Sequence, residues 1–308
     1  MHEHIARSMY YLSVHLLFAS AVGCAAWVLT SVRGASATTK YWIWVATVFN
    51  FVVPVGALID KLGAPHLAWA APLGVIGDPV SNVTQGWTAV VLAVGWTTGA
   101  LIMLVRLISR LRAEHRQVQV PAGRHDVTSS FVADGIPVSF DSRHPAPAVG
   151  GVLYPRILLP TGIDRLLNER ELNAVLLHEV AHAKRRDNLI RLLYEVSLCA
   201  LWFHPLLWLA GARMALYREL SCDESVIRHA HGQALVRALA KLAVPEKTMS
   251  LQATASSHLS HRLARLAGPS QPAHRAANVL LPSLFAAAVA AGVFATVAHT
   301  ACCFVLKH

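Results

Sequence analysis

The sequence predicts a mainly α-helical integral membrane protein in which four transmembrane helices flank one polar α+β domain. Apolar residues make up 55% of the 308 residues and charged residues only 14%, whereas soluble domains carry about 25% charge. Four apolar runs reach the length that spans a bilayer, about 20 residues. Residues 109–278, between the third and fourth runs, form the only polar block large enough to fold as a domain.

The predicted spans give the chain three parts: three spans in 1–108, the polar domain in 109–278, and a fourth span with a short outer tail in 279–308. The spans themselves are 9–30, 41–59, 87–108 and 279–301. A cleaved signal peptide is the alternative for the first, since Arg7 precedes it and small residues follow it. Its apolar stretch exceeds the 7–15 residues typical of a signal, which favours an uncleaved span.

Positive charge predicts the orientation of these spans. The net charge of +10 could indicate nucleic acid, but the cations cluster beside the apolar runs. Cytoplasmic flanks of membrane spans are enriched in Lys and Arg. We therefore expect lipid contact and no direct nucleic-acid binding, with both termini outside and the domain in the cytoplasm, because the third span ends in a cluster of five arginines: Arg106, Arg110, Arg112, Arg116 and Arg124.

The first half of the polar domain contains two β-type runs. Residues 136–140 and 154–160 are separated by Gly and Pro, and they predict a small antiparallel sheet. Pro155 is expected to keep its strand at an edge, because proline cannot donate to a neighbouring strand. Such an edge could bind a peptide as an additional strand. The sequence supports equally well a hairpin that has only a structural role and binds no peptide.

A capped helix follows and carries the motif His178-Glu179-Val180-Ala181-His182 in its latter half. Asn168 is the expected N-cap, with Glu171 completing a capping box. Residues four apart share a helix face, so both imidazoles can bind one metal ion. A zinc ion bound in this way needs a third ligand and a water, and Glu179 is the expected general base for that water.

The cations after the motif are interpreted as the end of that helix. Residues 184–188 place positive charge at the negative end of the helix dipole. We assign Arg185 and Arg186 this role alone.

The next apolar run, 189–209, contains Arg191, Glu195, His204 and Pro205. A lipid-exposed span with those charges would be costly. The run therefore predicts a buried or membrane-dipping helical pair broken at Pro205, with a fifth span as the alternative.

Two carboxylates downstream can complete the metal site. Glu219 and Asp223 lie four residues apart and share a helix face. Glu219 is the expected third ligand, and Asp223 is placed to accept the free N–H of a ligating histidine. A solvated acidic patch is the alternative. Cys222 lies off that face and ranks well below Glu219 as a ligand.

The remaining part of the domain predicts an amphipathic helix over 234–242, a Ser/Thr-rich linker and a short helix near 261–266.

Four segments together resemble the BlaR/MecR family of membrane metallopeptidases. The segments are 149–160 (Val-Gly-Gly-Val-Leu-Tyr-Pro-Arg-Ile-Leu-Leu-Pro), 178–187 with the motif and Arg-Asp, 202–208 (Trp-Phe-His-Pro-Leu-Leu-Trp), and 218–224 (Arg-Glu-Leu-Ser-Cys-Asp-Glu). One departure is His204, where the family has Asn more often.

The resemblance implies a gluzincin-type zinc domain on the cytoplasmic side of a bacterial-type plasma membrane. It implies one zinc ion bound by His178, His182 and Glu219, with Glu179 as catalytic base. It also implies a protein substrate that could be a DNA-binding repressor. The best-known members respond to β-lactams through a penicillin-binding sensor after the fourth span. No Ser-x-x-Lys motif has room there, so we expect no β-lactam sensor domain in this chain.

The sequence therefore predicts a membrane zinc metalloendopeptidase that cleaves a cytoplasmic or membrane-proximal protein in regulatory proteolysis. The alternatives are a housekeeping membrane protease of the HtpX/CAAX-processing type and a non-catalytic signalling protein with a structural metal site. His204 and Tyr217 are the candidates for contacts with the substrate or its oxyanion.

Overall fold

The computed structural model describes residues 2–53, 87–118, 131–141, 144–242, 262–263, 266 and 274–305. Along the chain, long helices precede and follow a smaller domain of four strands and several helices. The long helices are α1 (His2–Ser31), α2 (Ala37–Val52), α3 (Trp87–Val118) and α9 (Arg275–Val305).

Three of the long helices are long and apolar enough to cross a membrane, over Leu12–Ser31, Val90–Glu114 and Arg275–Ala295. The membrane character of the chain agrees with the sequence prediction. The predicted span 41–59 begins within α2, whose 16 residues extend about 24 Å at 1.5 Å per residue. The rest of that span, from residue 54, lies outside the described ranges, so a set of four spans stays a prediction.

The apolar run 189–209 forms the predicted helical pair. Its two helices are α6 (Asp187–Leu201) and α7 (Pro205–Arg228). The chain breaks between them, and Pro205 is the first residue of α7. Proline is well tolerated at that position because the first helical N–H has no partner within the helix. The pair packs with α1, α2 and α9 in one apolar cluster that includes Phe51, Leu201 and Leu207.

The turn of this pair lies beside the middle of the first candidate span. His204 Nε2 is 3.1 Å from Ser20 Oγ, and Ser20 precedes Ser31, the last residue of α1, by 11 residues. That separation corresponds to about 16 Å along a helix, or roughly half the apolar thickness of a bilayer. The pair therefore connects the polar domain to the centre of the helical bundle.

The small sheet is mixed, which corrects the antiparallel prediction. Its strands are β1 (Phe131–Ala133), β2 (Ile136–Phe140), β3 (Ala148–Gly150) and β4 (Arg156–Leu159), in the order β1-β2-β4-β3. Strands β2 and β4 pair in parallel, while β1–β2 and β3–β4 pair antiparallel. A hairpin turn at Asp134 and Gly135, both with positive φ, joins β1 to β2.

Pro155 does not mark an edge of this sheet, contrary to the prediction. It lies just before β4, which is an interior strand. The chain between β2 and β4 folds back and adds β3 along the outer side of β4, so the edges are β1 and β3. Sequence periodicity did not reveal β3, because this strand has only three residues.

In the polar domain the sheet packs against α5 (Glu169–Arg185), and α5 packs in turn against α8 (Gly232–Leu242). The predicted capping box is confirmed, with Asn168 and Glu171 bonding each other's backbone. The core between these elements includes residues of the sheet, α5, α7 and α8, among them Ile157, Leu159, Val175, Val226 and Leu235. Helix α4 (Ile163–Leu166) joins β4 to α5.

Candidate metal and active site

The two histidines and Glu219 converge at the interface of α5 and α7. His178 Nε2 lies 3.1 Å from His182 Nε2. Glu219 Oε2 lies 3.6 Å from the first of these atoms and 3.8 Å from the second. Because His178 and His182 are one helical turn apart on α5, their rings reach the same point, and α7 crosses that point with Glu219.

These separations fit a tetrahedral zinc ion. Zinc lies about 2.0–2.1 Å from imidazole nitrogen and about 2.0–2.2 Å from carboxylate oxygen, so tetrahedral ligand atoms lie roughly 3.3–3.5 Å apart. The three observed distances bracket that value. Two nitrogens and one oxygen are also a donor set that zinc accepts, with one position left for water.

Asp223 lies beside His178, and its role as acceptor of the histidine N–H stays a prediction. Its Oδ1 is 3.1 Å from His178 Nδ1, and its side chain is 3% exposed. A carboxylate at this nitrogen fixes the proton on Nδ1 and leaves the Nε2 lone pair free for a metal. Asp223 is one turn after Glu219 on α7, which accounts for its place on the same side of the helix.

Asp187 places a carboxylate at Nδ1 of His182, as Asp223 does at Nδ1 of His178. The sequence analysis did not predict this role for Asp187. Its Oδ2 lies 2.6 Å from His182 Nδ1. Its other oxygen accepts the hydroxyl proton of Tyr41, at 3.0 Å, and so connects the site to α2. Arg186, in the left-handed conformation with φ of 56°, turns the chain so that Asp187 begins α6 facing back towards α5.

Arg185 is a largely buried cation with partners on two other helices, so a helix-end charge is not its only role. Its Nε and Nη2 each donate to Asp187 at 2.6 Å, and it also bonds Ser221 on α7. Its guanidinium lies 4.4 Å from the centre of the Tyr41 ring. Arg185 does lie in the last turn of α5, as predicted, and the exposed Arg186 is the C-cap of that helix. The sequence did contain a signal for this ion pair, because Asp187 follows Arg185 by two residues.

Arg218 orients the third ligand. It donates to Glu219 Oε1 from Nε at 3.1 Å and from Nη2 at 2.9 Å. The second oxygen of that carboxylate is the one that faces the histidines. Glu219 is therefore held by one oxygen and offers the other to a metal ion.

The electrostatics of the site follow from these contacts. Burial acts to lower the pKa of His178, but Asp223 and Glu219 outweigh it and raise that pKa to about 9. Burial acts to raise the pKa of Glu219, but the two histidines hold it well below its usual range. Metal binding requires unprotonated imidazoles. The affinity of the site for zinc should therefore increase as the pH rises through the raised pKa values of His178 and His182.

A cavity of about 370 Å³ opens at these groups. Glu179 lines it with both histidines, and so do residues 146–149, which include the start of β3. Asn188 joins α6 to this strand, because its amide donates to the carbonyls of Val149 at 2.8 Å and Gly151 at 3.0 Å. Neither Asn188 nor the edge strand β3 was recognised from the sequence.

The two candidates for substrate or oxyanion contacts lie elsewhere. Tyr217 donates to the Thr30 carbonyl at 3.3 Å, within the helical bundle. It precedes Glu219 by two residues, a rotation of about 200° around the helix, and so points away from the site. His204 packs on Phe51 with ring centres 4.7 Å apart. It precedes Glu219 by 15 residues, or about 22 Å of helix.

A second set of possible metal donors, His182, Asp187 and Cys222, is already filled by protein. Arg185 Nη2 lies 2.6 Å from Asp187 Oδ2 and 3.2 Å from Cys222 Sγ. The Asp187 oxygen of this set already contacts both His182 Nδ1 and Arg185 Nη2, each at 2.6 Å. Cys222 therefore belongs to the support of His182, in line with its low rank as a ligand.

Comparison with known proteins agrees with this geometry. Residues 11–266 match the family described as BlaR1 peptidase M56. Over 182 residues the chain is 29% identical to the methicillin resistance MecR1 protein of Staphylococcus aureus, which covers 54% of this chain and 31% of MecR1. The MecR1 protein of Staphylococcus epidermidis gives the same values.

The regulatory protein BlaR1 of Bacillus licheniformis is 37% identical over 90 residues, which is 28% of this chain and 15% of BlaR1. The chain thus matches less than a third of the length of each of these relatives. The family match, by contrast, extends over most of this chain and includes every residue of the histidine and carboxylate site. The chain therefore belongs to the BlaR1 peptidase M56 family of membrane-associated peptidases.

Proposed function

We propose that this chain is an integral membrane zinc metalloendopeptidase that acts in regulatory proteolysis. The observation that carries the proposal is the convergence of His178, His182 and Glu219 at zinc-ligand spacing. Glu179 lines the same cavity. A structural metal site needs no such additional carboxylate, whereas hydrolysis needs a base beside the metal-binding residues.

The residues divide the chemistry between them. Zinc, when bound, supplies a Lewis acid and lowers the pKa of an associated water. Glu179 takes a proton from the attacking water as its oxygen bonds to the scissile carbonyl carbon. The same carboxyl group then gives that proton to the leaving amine as the C–N bond breaks. Asp223 and Asp187 hold the two imidazoles in the required tautomer.

The substrate is an extended segment of a protein that binds beside β3. This strand is an edge of the sheet and is continuous with the cavity wall. A peptide can add to such an edge through main-chain hydrogen bonds, which are independent of sequence. Asn188 fixes the position of β3 relative to Asp187 and His182. A peptide bound along β3 is therefore held at a fixed position relative to the catalytic groups.

The substrate is a cytoplasmic or membrane-proximal protein, and a DNA-binding repressor is the class we favour. The support is the cationic flank after the third span, which favours a cytoplasmic domain, and the regulatory description of the relative BlaR1. Proteolysis of inside-out and right-side-out vesicles tests the orientation. Digestion of residues 109–278 in right-side-out vesicles contradicts it.

The activity test uses the detergent-purified full chain. The substrates are labelled casein and any repressor encoded beside this gene. We expect one zinc ion per chain in both wild type and Glu179→Ala, and cleavage by wild type alone. Glu169→Ala is the matched control, since Glu169 is an exposed residue at the start of the same helix.

The outcomes also separate the alternatives. Cleavage by zinc-loaded Glu179→Ala contradicts the mechanism. Zinc binding without cleavage, together with a wild-type phenotype for Glu179→Ala in cells, supports a structural metal site instead. Cleavage of casein and unrelated membrane proteins, but not of the repressor, supports a housekeeping protease.

A further inference from the structure

Neither His204 nor Tyr217, the two candidates from the sequence, lines the cavity. The residue that stabilises the oxygen of the scissile carbonyl must therefore be another one. Among the described residues, three arginines line the cavity, Arg191, Arg218 and Arg262, and Arg262 lies within 3.4 Å of both His178 Nε2 and Glu219 Oε2. Its side chain is only 12% exposed, and it comes from the segment after α8. The sequence contains no signal for this, because 39 residues separate it from its partner Asp223.

Arg262 is held in a fixed orientation by two charge-assisted hydrogen bonds. Its Nε donates to Asp223 Oδ2 at 2.9 Å, and its Nη2 donates to Asp223 Oδ1 at 2.8 Å. A bidentate pair of this kind constrains the plane of the guanidinium. Asp223 in turn contacts His178, so the cation and the metal-binding histidine share one anchor.

The fork leaves donors directed towards the metal ligands. Nη1 lies 3.4 Å from Glu219 Oε2, and Nη2 lies 3.4 Å from His178 Nε2. Both distances are longer than a good hydrogen bond to a charged group, which is about 2.7–2.9 Å. Both terminal nitrogens of the guanidinium therefore lie beside the atoms at which His178 and Glu219 converge.

The backbone at Arg262 is tied to the core of the domain. Arg262 and Leu263 are helical, and so is Leu266, four residues after Arg262. Leu266 packs on the cluster that contains Val175 and Leu235, and these two residues also line the cavity. Arg262 is thus held by its two hydrogen bonds to Asp223, and nearby Leu266 packs on the core of the domain.

We propose that Arg262 is a catalytic residue that donates an Nη hydrogen to the carbonyl oxygen of the scissile peptide bond. The proposal rests on the proposed function. As water adds to the carbonyl carbon and its proton passes to Glu179, the π electrons move to the carbonyl oxygen. Arg262 stabilises the resulting negative charge. When the carbonyl re-forms, the C–N bond breaks and Glu179 returns the proton to the amine.

Pre-oriented donors of this kind contribute most where charge develops during the reaction. The fork to Asp223 satisfies that requirement, since the guanidinium need not reorganise as the oxygen becomes charged. A purely structural Arg262 would instead act only through Asp223. The two roles differ in one measurable respect, the affinity for a tetrahedral anion compared with the affinity for zinc.

The experiment compares wild type, Arg262→Met and Arg262→Lys as full chains in detergent. The probe is N-phosphoryl-leucine amide, whose tetrahedral anion imitates the oxyanion, and its binding to the zinc-loaded protein is measured by calorimetry. Zinc affinity is measured separately by chelator competition. Arg237→Met is the control, because Arg237 is 56% exposed and pairs only at 3.7 Å with Glu171.

We expect Arg262→Met to bind the probe about 100-fold more weakly than wild type, within the 10²–10³-fold loss typical of a removed oxyanion donor. We expect zinc affinity to stay within about threefold. Arg262→Lys keeps the charge but loses the fork, so a loss of about tenfold is expected. Unchanged probe binding in both variants overturns the proposal, as does the absence of probe binding by wild type.

The proposed function can fail independently of this inference. If wild type does not cleave protein but binds the probe through Arg262, the protease activity fails and the oxyanion site stands. If wild type cleaves and Arg262→Met cleaves equally well, the reverse holds. A parallel loss of zinc and probe affinity assigns Arg262 to the support of Asp223 alone and overturns its catalytic role.

Discussion

Replacement of Asp187 by Asn is the sharpest test of how the site is supported. The side chain keeps its shape but loses its charge, and three groups depend on that charge. Its carboxylate lies 2.6 Å from His182 Nδ1 and 2.6 Å from two nitrogens of Arg185. It also accepts the Tyr41 hydroxyl. The substitution therefore affects both metal binding and folding.

The magnitude has two parts. Loss of a carboxylate behind a metal-binding histidine typically costs 10–100-fold in metal affinity, which is about 1.4–2.8 kcal/mol. The second part concerns the metal-free protein. Arg185, 12% exposed, loses its negatively charged partner but keeps its contacts with Ser221 and Tyr41, so the cost in unfolding free energy should be at most about 3–5 kcal/mol, the cost of an uncompensated buried charge. Both effects should appear, since both use the same carboxylate.

The assays are zinc competition with a chromophoric chelator and thermal unfolding of the metal-free protein, both in detergent. Asp134→Asn is the matched control, because Asp134 pairs with Lys184 at the surface, where the two side chains are 61% and 55% exposed. An exposed pair contributes about 0–1 kcal/mol. Wild-type zinc affinity in Asp187→Asn would refute the role of Asp187 behind His182. Wild-type stability would refute the burial of Arg185.

Two further predictions concern packing and pH. Gly99→Ala should lower the melting temperature, because an added Cβ would lie 2.1 Å from the Trp202 ring and overpacking costs about 1–3 kcal/mol; Gly95→Ala, with nothing within 4 Å, should not, and equal melting temperatures would contradict this packing. Lys241→Met should destabilise the protein at pH 7, since Lys241 lies 2.6 Å from Glu171 and its hydrogen bond lowers the Glu171 pKa below 4.5. A lowered pKa stabilises the fold above the unfolded-state value, so the difference between variant and wild type should shrink as the pH falls below about 4.5. A difference that grows in acid would contradict this assignment.

The sequence predicted most clearly what depends on spacing along a single element. The capping box at Asn168, the histidine pair on α5 and the break at Pro205 are local features. Glu219 and Asp223 could be matched to that pair because both share one face of α7. These inferences need only the helical repeat of 3.6 residues.

Features formed by distant segments could not be predicted in this way. Strand β3 is too short to show a period, and its place beside β4 corrected both the sheet type and the position of Pro155. Tyr217 was attractive by proximity to Glu219 in sequence, yet two residues on a helix point in opposite directions. Arg262 lies beyond a polar linker, so no spacing rule connects it to the motif.

By itself, the sequence determined the chemistry of this protein: an apolar chain, a histidine pair with a neighbouring carboxylate, and a second pair of carboxylates on a later helix. Only the tertiary structure decided which groups surround that chemistry. It placed Asp187 in contact with both His182 and Arg185. It also placed the Asn188 side chain against the edge strand β3, and Arg262 in contact with Asp223. The physical reason is that metal-ligand types follow from residue identity, whereas the groups that orient and charge them come from whichever segments pack beside the helix.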